Sequence, residues 1–352
     1  MADESFWSGQ RVLLTGHTGF KGAWLSIWLA RMGAQVHGYS LGPDSEPNLF
    51  GQLGGAGLAS SRIGDIRDRA ALAAAVDEIR PTVAIHMAAQ ALVRRSYREP
   101  VETFETNVMG SVNFLDALRR QPSLRAALVI TTDKVYRNLE TGRAFQEDDA
   151  LGAHDPYSAS KAAAEIAVSS WRQSFFQDTG IPVAAARAGN VIGGGDWSED
   201  RLVPDIWRAI TRGEELVLRY PDATRPWQHV LEPLAGYLRY VEQIATSNAE
   251  LPSALNFGPS PQDVLKVSEL AEMLLEALAA RKGWRHEPSR AMPEMNFLSL
   301  DPALARKTIG WRPRLSSREC AIWTAEWYRR WGGGEDARAL CLEQISRYEE
   351  LL

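Results

Sequence analysis

The first half of this 352-residue chain alternates short apolar runs with segments of helical period, and few folds accept that alternation. Arg11-Val12-Leu13-Leu14-Thr15 reads as a buried strand. A helix over about Gly19 to Met32 follows, with Trp24, Leu25, Ile27, Trp28 and Leu29 on or near its inner face. Gln35 to Ser40, Thr82 to His86, Ala126 to Thr132 and Val183 to Ala188 read as further strands. Ala70 to Ile79, Val101 to Arg119 and the alanine-rich Tyr157 to Phe176 read as the intervening helices. Apolar strands that alternate with helices imply a parallel sheet covered on both faces. Ligands of such sheets gather at the carboxyl ends of the strands, so the chemistry is sought there.

After about Asn190 the pattern loosens. Gly193-Gly194-Gly195-Asp196 and the stretches around Pro204, Pro221, Pro226 and Pro233 interrupt it. Helical patterns return near Val267 to Lys282 and from Ser316 onward. The expected architecture is α/β: a Rossmann-type doubly wound parallel sheet over residues 1–189, carrying the catalytic residues. A smaller C-terminal substrate-binding lobe over 190–352 would send some segments back to the sheet.

The first strand ends in Thr15-Gly16-His17-Thr18-Gly19-Phe20-Lys21-Gly22. Glycines at intervals of three, between a strand and a helix, allow a tight turn and close approach of the backbone to a pyrophosphate. The helix start offers unpaired N–H groups and a partial positive charge to phosphates. This position in the first βα turn favours a dinucleotide site over an ordinary glycine-rich turn; His17 is read there as a backbone contact. At the end of the second strand, where an acidic residue would select NAD, the chain has Ser40. The nearest basic candidate for a ribose phosphate is Arg62, ahead of Gly64-Asp65-Ile66. NAD is the expected cofactor, with NADP left open. Asp65 and Ile66 either flank the adenine or form a strand-end turn, and Ala88-Ala89-Gln90 follows a strand near the cofactor.

Tyr157-Ser158-Ala159-Ser160-Lys161 places Tyr and Lys four apart on one helix face. A nearby ammonium favours the phenolate, and the phenolic oxygen can then take a proton from a substrate hydroxyl while hydride leaves the same carbon. The lysine can also bind the nicotinamide ribose. Thr131-Thr132-Asp133-Lys134-Val135-Tyr136, at another strand end, supplies a hydroxyl and an adjacent acid and base candidate; in isolation Asp-Lys would be a solvated turn.

These residues resemble the extended short-chain dehydrogenase/reductase family through Gly16-x-x-Gly19-x-x-Gly22 and Tyr157-x-x-x-Lys161. Residues 16–22, 132–136, 190–197 and 225–233 narrow the resemblance to the family's nucleotide-sugar dehydratases, and it runs from about Trp7 to Trp331. It implies CDP-glucose as substrate and an internal redox cycle. Tyr157, with Thr132 sharing the substrate hydroxyl, accepts the 4-hydroxyl proton as hydride passes from C4 to NAD. The C5 proton and the 6-hydroxyl leave as water, and hydride returns to C6, giving CDP-4-keto-6-deoxyglucose. Related dTDP- and GDP-sugar dehydratases carry Glu where this chain has Lys134. Lys134 is therefore expected to handle the C5 proton as a neutral amine, and Asp133 to protonate the 6-hydroxyl. The resemblance also points to Gln90, Asn190, Arg201, Leu202, Arg219, Arg225 and His229 as sugar-nucleotide contacts. Glu294 and Asn296 would close the nucleotide pocket. Asn107 is read as a structural brace.

Formal charge −5 argues against wholesale nucleic-acid or membrane-surface binding. No apolar run approaches the roughly 20 residues of a membrane span, and the start is neither basic nor apolar enough for a signal peptide. Two cysteines, Cys320 and Cys341, make neither a disulfide framework nor a zinc site, and fit a reducing cytoplasm. No metal site is expected. Trp24 and Trp28 read as core, Trp323, Trp327 and Trp331 as a helix stripe in the core or lobe interface, and Trp227 as packing. The resemblance suggests a homodimer, or a tetramer, through the helices near Val101 to Arg119 and Tyr157 to Phe176. The competing readings are an epimerase, a dehydratase of another nucleotide sugar, and a non-enzymatic dinucleotide sensor.

Overall fold

A computed structural model describes residues 3–55, 57–247, 249–288 and 295–352. Seven parallel strands form the central sheet: β1 (Arg11–Thr15), β2 (Gln35–Ser40), β3 (Ser60–Ile63), β4 (Val83–His86), β5 (Ala126–Thr132), β6 (Val183–Ala188) and β7 (Ala254–Phe257). Their order is β7-β6-β5-β4-β1-β2-β3, so the chain reverses direction across the sheet between β1 and β4. Helices α1 (Phe20–Arg31), α2 (Arg69–Ile79), α3 (Gly110–Leu118) and α4 (Pro156–Trp171) connect the first six strands.

The pleat sorts the strand residues. Val12, Leu14, Val36, Ile85, Leu128 and Ile130 pack on the face that carries α1, while Leu13, Ala84, Ala127 and Val129 pack on the face carrying α2, α3 and α4. Both faces are apolar because both are covered, which is why these strands read as unbroken apolar runs. β3 lacks that signal: its side chains are exposed at the sheet edge. β7 comes from the second half of the chain and adds to β6 in register Ala254 to Ala185.

The rest of the second half contributes α5 (Leu202–Arg212), α6 (Leu231–Thr246), α7 (Val267–Ala277), α8 (Ser317–Gly332) and α9 (Ala337–Glu349). Trp24 and Trp28 of α1 are fully buried; their indole N–H groups donate to Gly194 O at 2.9 Å and to Glu349 Oε1 at 2.8 Å. Trp327 and Trp331 stack at 6.0 Å, and a Cβ at Gly194 would run into the Trp327 ring. The middle glycine of the Gly193–Gly195 run therefore makes room for core packing. Glu232 of α6 ties in the C-terminal helices. It accepts from Arg314 N at 2.8 Å, Leu315 N at 2.6 Å and the Tyr348 hydroxyl at 2.8 Å, and burial pushes its carboxyl up to about 7. Both cysteines are buried and free. Among the described residues no helix is long and apolar enough to cross a membrane, and no cluster of His, Cys, Asp or Glu could hold a metal ion.

Candidate active site

A cleft of about 1060 Å³ lies at the carboxyl ends of β1, β2, β4, β5 and β6, with the second half of the chain forming its far wall. The glycine loop is its floor at one end. Gly16 has φ +75°, and a Cβ there would meet Ala88 N at 2.7 Å; one at Gly22 would collide with Gly16 O. Gly19 caps α1 with no side-chain hydrogen bond, so the first-turn N–H groups of α1 are left to the cleft. Thr18, Gly19, Phe20, Lys21 and Gly22 all line it, as do Ser40, Asp65, Ile66, Ala88 and Ala89. This backbone cradle at the start of a helix suits a dinucleotide diphosphate.

Several expected cofactor contacts are differently engaged. The His17 side chain is buried, bonds the Ser61 hydroxyl at 2.8 Å and lies against Gly38; burial pulls it down to about 4. Arg62 does not line the cleft: it pairs with Glu78 at 2.5 Å on the exposed edge, because β3 turns its side chain toward α2. Asp65 is held by Arg67, whose Nε donates to Oδ1 at 3.1 Å and Nη2 to Oδ2 at 2.6 Å, which keeps its carboxyl below the usual range. The Ser40 hydroxyl bonds Thr18 Oγ1 at 2.9 Å.

Gln90 lines the cleft, but its amide serves its own loop. Oε1 accepts from Leu92 N at 2.7 Å, and Nε2 donates to Thr103 Oγ1 at 2.9 Å. The expected reach to the sugar is thus replaced by loop bracing. Asn107 sits in a π-helical turn, Glu105–Met109, where it bonds both Gln90 N and Gln90 O and donates to Ser160 Oγ. It braces the loop at Gln90 against α4.

Asp155 caps α4 by accepting from Ser158 N at 2.9 Å, with Pro156 in the first turn. Tyr157 and Lys161 then share one face, both buried and both lining the cleft. The Lys161 ammonium donates to Ile130 O at 2.8 Å on β5. Burial pushes Tyr157 up to about 12, against its hydrogen bond with Thr132, and pulls Lys161 down to about 8, against the charge of Glu165. The expected lowering of the phenol by Lys161 is therefore overridden by desolvation. Thr132 Oγ1 donates its one proton to Asp133 Oδ1 at 2.9 Å, and Lys134 Nζ donates to that oxygen at 3.2 Å. Asp133 Oδ2 is buried with no protein partner among the described residues. Lys134 Nζ also lies 3.5 Å from Asn190 Oδ1. The five residues Thr132, Asp133, Lys134, Tyr157 and Lys161 thus form one cluster.

On the opposite wall Arg201 pairs with Asp196 at 3.1 Å, and Leu202 starts α5 beside it. Arg219 pairs with Asp200 at 2.8 Å, and Arg225 is buried in the wall. His229 is absent from that wall. It is fully buried between Trp24 and Trp323, and burial pulls it down to about 3, so it is a core residue. Trp227 is buried and packs at the cleft's margin. Asn296 is exposed, its backbone N–H held by Glu140 at 3.0 Å, and Glu294 lies outside the described residues.

Three features escaped the sequence reading. Arg94 lines the cleft and faces Asp200 at 3.7 Å, so Asp200 joins arginines from both halves of the chain. Nothing in the doublet Arg94-Arg95 distinguishes it from surface charge. Glu165, buried, takes a bidentate Arg187 at 2.8 and 2.6 Å and the Thr131 hydroxyl at 2.5 Å. It follows Lys161 by four, so the helical period that pairs Tyr157 with Lys161 points to it as well. The direction of the Lys21 side chain is the third.

Residues 13–322 match the model of the GDP-mannose 4,6 dehydratase family. The chain belongs to this family. It is 41% identical to a CDP-glucose 4,6-dehydratase of Salmonella typhimurium, over 99% of this chain and 98% of that protein. The family fold recurs in a UDP-glucose 4-epimerase of Thermotoga maritima solved with UDP-glucose, at TM-score 0.79 and 22% identity, covering 91% of this chain and 98% of that one. It recurs too in a dTDP-glucose 4,6-dehydratase of Bacillus anthracis solved with NAD, at TM-score 0.76 and 19% identity, covering 91% and 96%.

Proposed function

We propose that this chain dehydrates CDP-glucose to CDP-4-keto-6-deoxyglucose with NAD as a recycled cofactor. The carrying observation is the adjacent acid and base, Asp133 and Lys134, in the Thr132–Tyr157–Lys161 cluster. An alcohol oxidation or an epimerisation needs only the Tyr–Lys–Thr part. Loss of water across C5 and C6 needs two further proton-handling groups, one to take and one to give. The likeness to the Salmonella CDP-glucose 4,6-dehydratase supports both the reaction and the nucleotide.

NAD, when bound, supplies the hydride acceptor for C4 and the hydride donor for C6. Tyr157 would take the 4-hydroxyl proton as the phenolate, the form that the Lys161 ammonium and the positive ring of bound NAD favour against the burial that otherwise keeps the phenol protonated, with Thr132 holding that hydroxyl in line. Oxidation at C4 makes the C5 proton acidic. Lys134 and Asp133 rest as an ion pair at 3.2 Å, which is the wrong protonation for both tasks. Transfer of one proton from the ammonium to the carboxylate sets both at once. The neutral amine then removes the C5 proton, and the carboxylic acid protonates the departing 6-hydroxyl, after which the ion pair is restored. Arg201, Arg219 and Arg225 suit the sugar-nucleotide diphosphate, since a guanidinium offers two parallel charge-assisted bonds. Residues 1–189 would hold the cofactor and 190–352 mainly the sugar nucleotide. Ser40, bonded to Thr18, and Arg62, drawn off by Glu78, place no cation at a ribose phosphate, which favours NAD over NADP.

The chain is proposed to work as a homodimer. Val101, Phe104 and Met109 on one helical segment and Ile166 and Phe175 on another are exposed apolar residues, on the two stretches expected to form a four-helix contact.

Incubation with NAD and a panel of CDP-, dTDP-, GDP- and UDP-glucose tests the reading. The expected result is a 4-keto-6-deoxy sugar from CDP-glucose, seen by its alkaline absorbance, with deuterium from C4 recovered in the new methyl group. CDP-galactose as product would mean an epimerase, and binding without turnover of any sugar a sensor.

A further inference from the structure

Lys21 stands in the first turn of α1, in the phosphate loop, and is only half-buried, yet its side chain turns toward the second half of the chain. It reaches across to α6, donates to the Tyr237 hydroxyl at 3.0 Å and lies 5.0 Å from the centre of that ring. Its side chain lines the cleft. The charged groups that act on it are those of the catalytic end: Lys161 on α4, Arg201 ahead of α5 and Asp133 after β5. Tyr237 itself feels Tyr157. Among the described residues no carboxylate lies within ion-pair distance of Lys21.

This is an expensive place for a cation. Burial opposes the charge, two further cations oppose it, and the N-terminal end of α1 is the positive end of a helix. Asp133 alone favours it, and the sum pulls Lys21 down to about 7. A methionine or leucine would fill the same space without the penalty. The stem alone therefore does not account for a lysine here.

We propose that Lys21 sets the redox balance of the nicotinamide bound at this end of the cleft. Its ammonium disfavours the oxidised, positively charged ring relative to the reduced, neutral one, and so helps draw hydride from the sugar. In that step the C4–H bond breaks, its electron pair and hydrogen pass to the ring as hydride, and the ring's positive charge is lost. Lys21 exchanges no proton with the reactants. The inference rests on the NAD-dependent reading above and adds to it the residue that tunes the cofactor.

The test compares dissociation constants of NAD⁺ and NADH, each by calorimetry, for wild type, Lys21→Met and Lys21→Arg between pH 6 and 9. In the wild type the preference for NADH is strongest below pH 7, where Lys21 is charged, and fades as pH rises through its titration. Lys21→Met lowers the preference at pH 6.5 at least fivefold and removes its pH dependence near 7. Lys21→Arg keeps the low-pH preference to pH 9. A Lys21→Met variant with the wild-type ratio and pH course overturns the proposal. Should Lys21→Met not fold, Lys21→Gln takes its place in the same comparison, and a wild-type NAD⁺ to NADH ratio in that variant overturns the proposal equally. If the wild type binds neither nucleotide, the NAD-dependent reading itself falls.

Discussion

Replacing Glu165 with glutamine removes one member of an ion pair that water barely reaches. The side chains of Glu165 and Arg187 are 4% and 6% exposed. Arg187 Nε and Nη2 donate to the two carboxylate oxygens at 2.8 and 2.6 Å, and Thr131 donates to one of them at 2.5 Å. Glutamine keeps one acceptor but turns an NH₂ group toward the guanidinium, which has only donors to offer. Arg187 is then left charged, buried and half-satisfied; its remaining partners are Tyr136 OH at 2.8 Å and Glu147 O at 2.9 Å. Breaking a buried pair from one side costs about 3–5 kcal/mol, against about 5–15 kcal/mol for a whole domain. Urea unfolding of Glu165→Gln should show a loss in that range. The double variant Glu165→Gln/Arg187→Met should recover at least half of it, because the stranded charge is gone. Thr131 precedes Thr132, so kcat should fall more than KM rises. A loss below about 1 kcal/mol, or a double variant no better than the single, would refute the reasoning.

Lys134→Ala should still oxidise C4 but stop there, so that bound NADH builds up with no 4-keto-6-deoxy product; turnover at the wild-type rate would remove Lys134 from the mechanism. Glu232, raised to about 7, binds its proton more tightly in the folded chain than in the unfolded one. Its penalty on wild-type stability is absent below about pH 4.5, grows up to about pH 7 and is constant above. Glu232→Gln should therefore gain roughly 3 kcal/mol relative to wild type across that window, read from denaturant midpoints at pH 5 and 8. Ile166→Asp, at a side chain 61% exposed, should convert a dimer to a monomer in sedimentation without loss of helix content; an unchanged sedimentation coefficient would place the dimer contact elsewhere.

The sheet was legible because both its faces are covered. β1, β4, β5 and β6 are buried along their lengths, and buried parallel strands show as apolar runs. β3 was not, since an edge strand with exposed side chains carries no such run, and the four-residue β7 is too short to stand out in the irregular second half. The cluster of Thr132, Asp133, Lys134, Tyr157 and Lys161 was legible for a different reason. Tyr157 and Lys161 are set by one helical turn, and Thr132 to Lys134 by the end of one strand, so local geometry places them. His229, Arg62 and Gln90 depend instead on which way a side chain turns once distant elements pack. Trp24 and Trp323 enclose His229, Glu78 draws off Arg62, and Thr103 takes the Gln90 amide. None of those partners is set by a helical or strand period, so the sequence carries no trace of them. The same holds for Lys21, whose partner Tyr237 lies 216 positions away.

The return of β7 to lie beside β6 bears on how such a protein can change its substrate. A chain cut after residue 189 would leave β6 with a bare edge, and its backbone N–H and C=O groups would face water or a neighbouring molecule. Residues 1–189 are thus not a module to be detached and joined to a different second half. A lineage that reshapes the cleft's far wall must do so residue by residue, around a segment that completes the sheet of the first half.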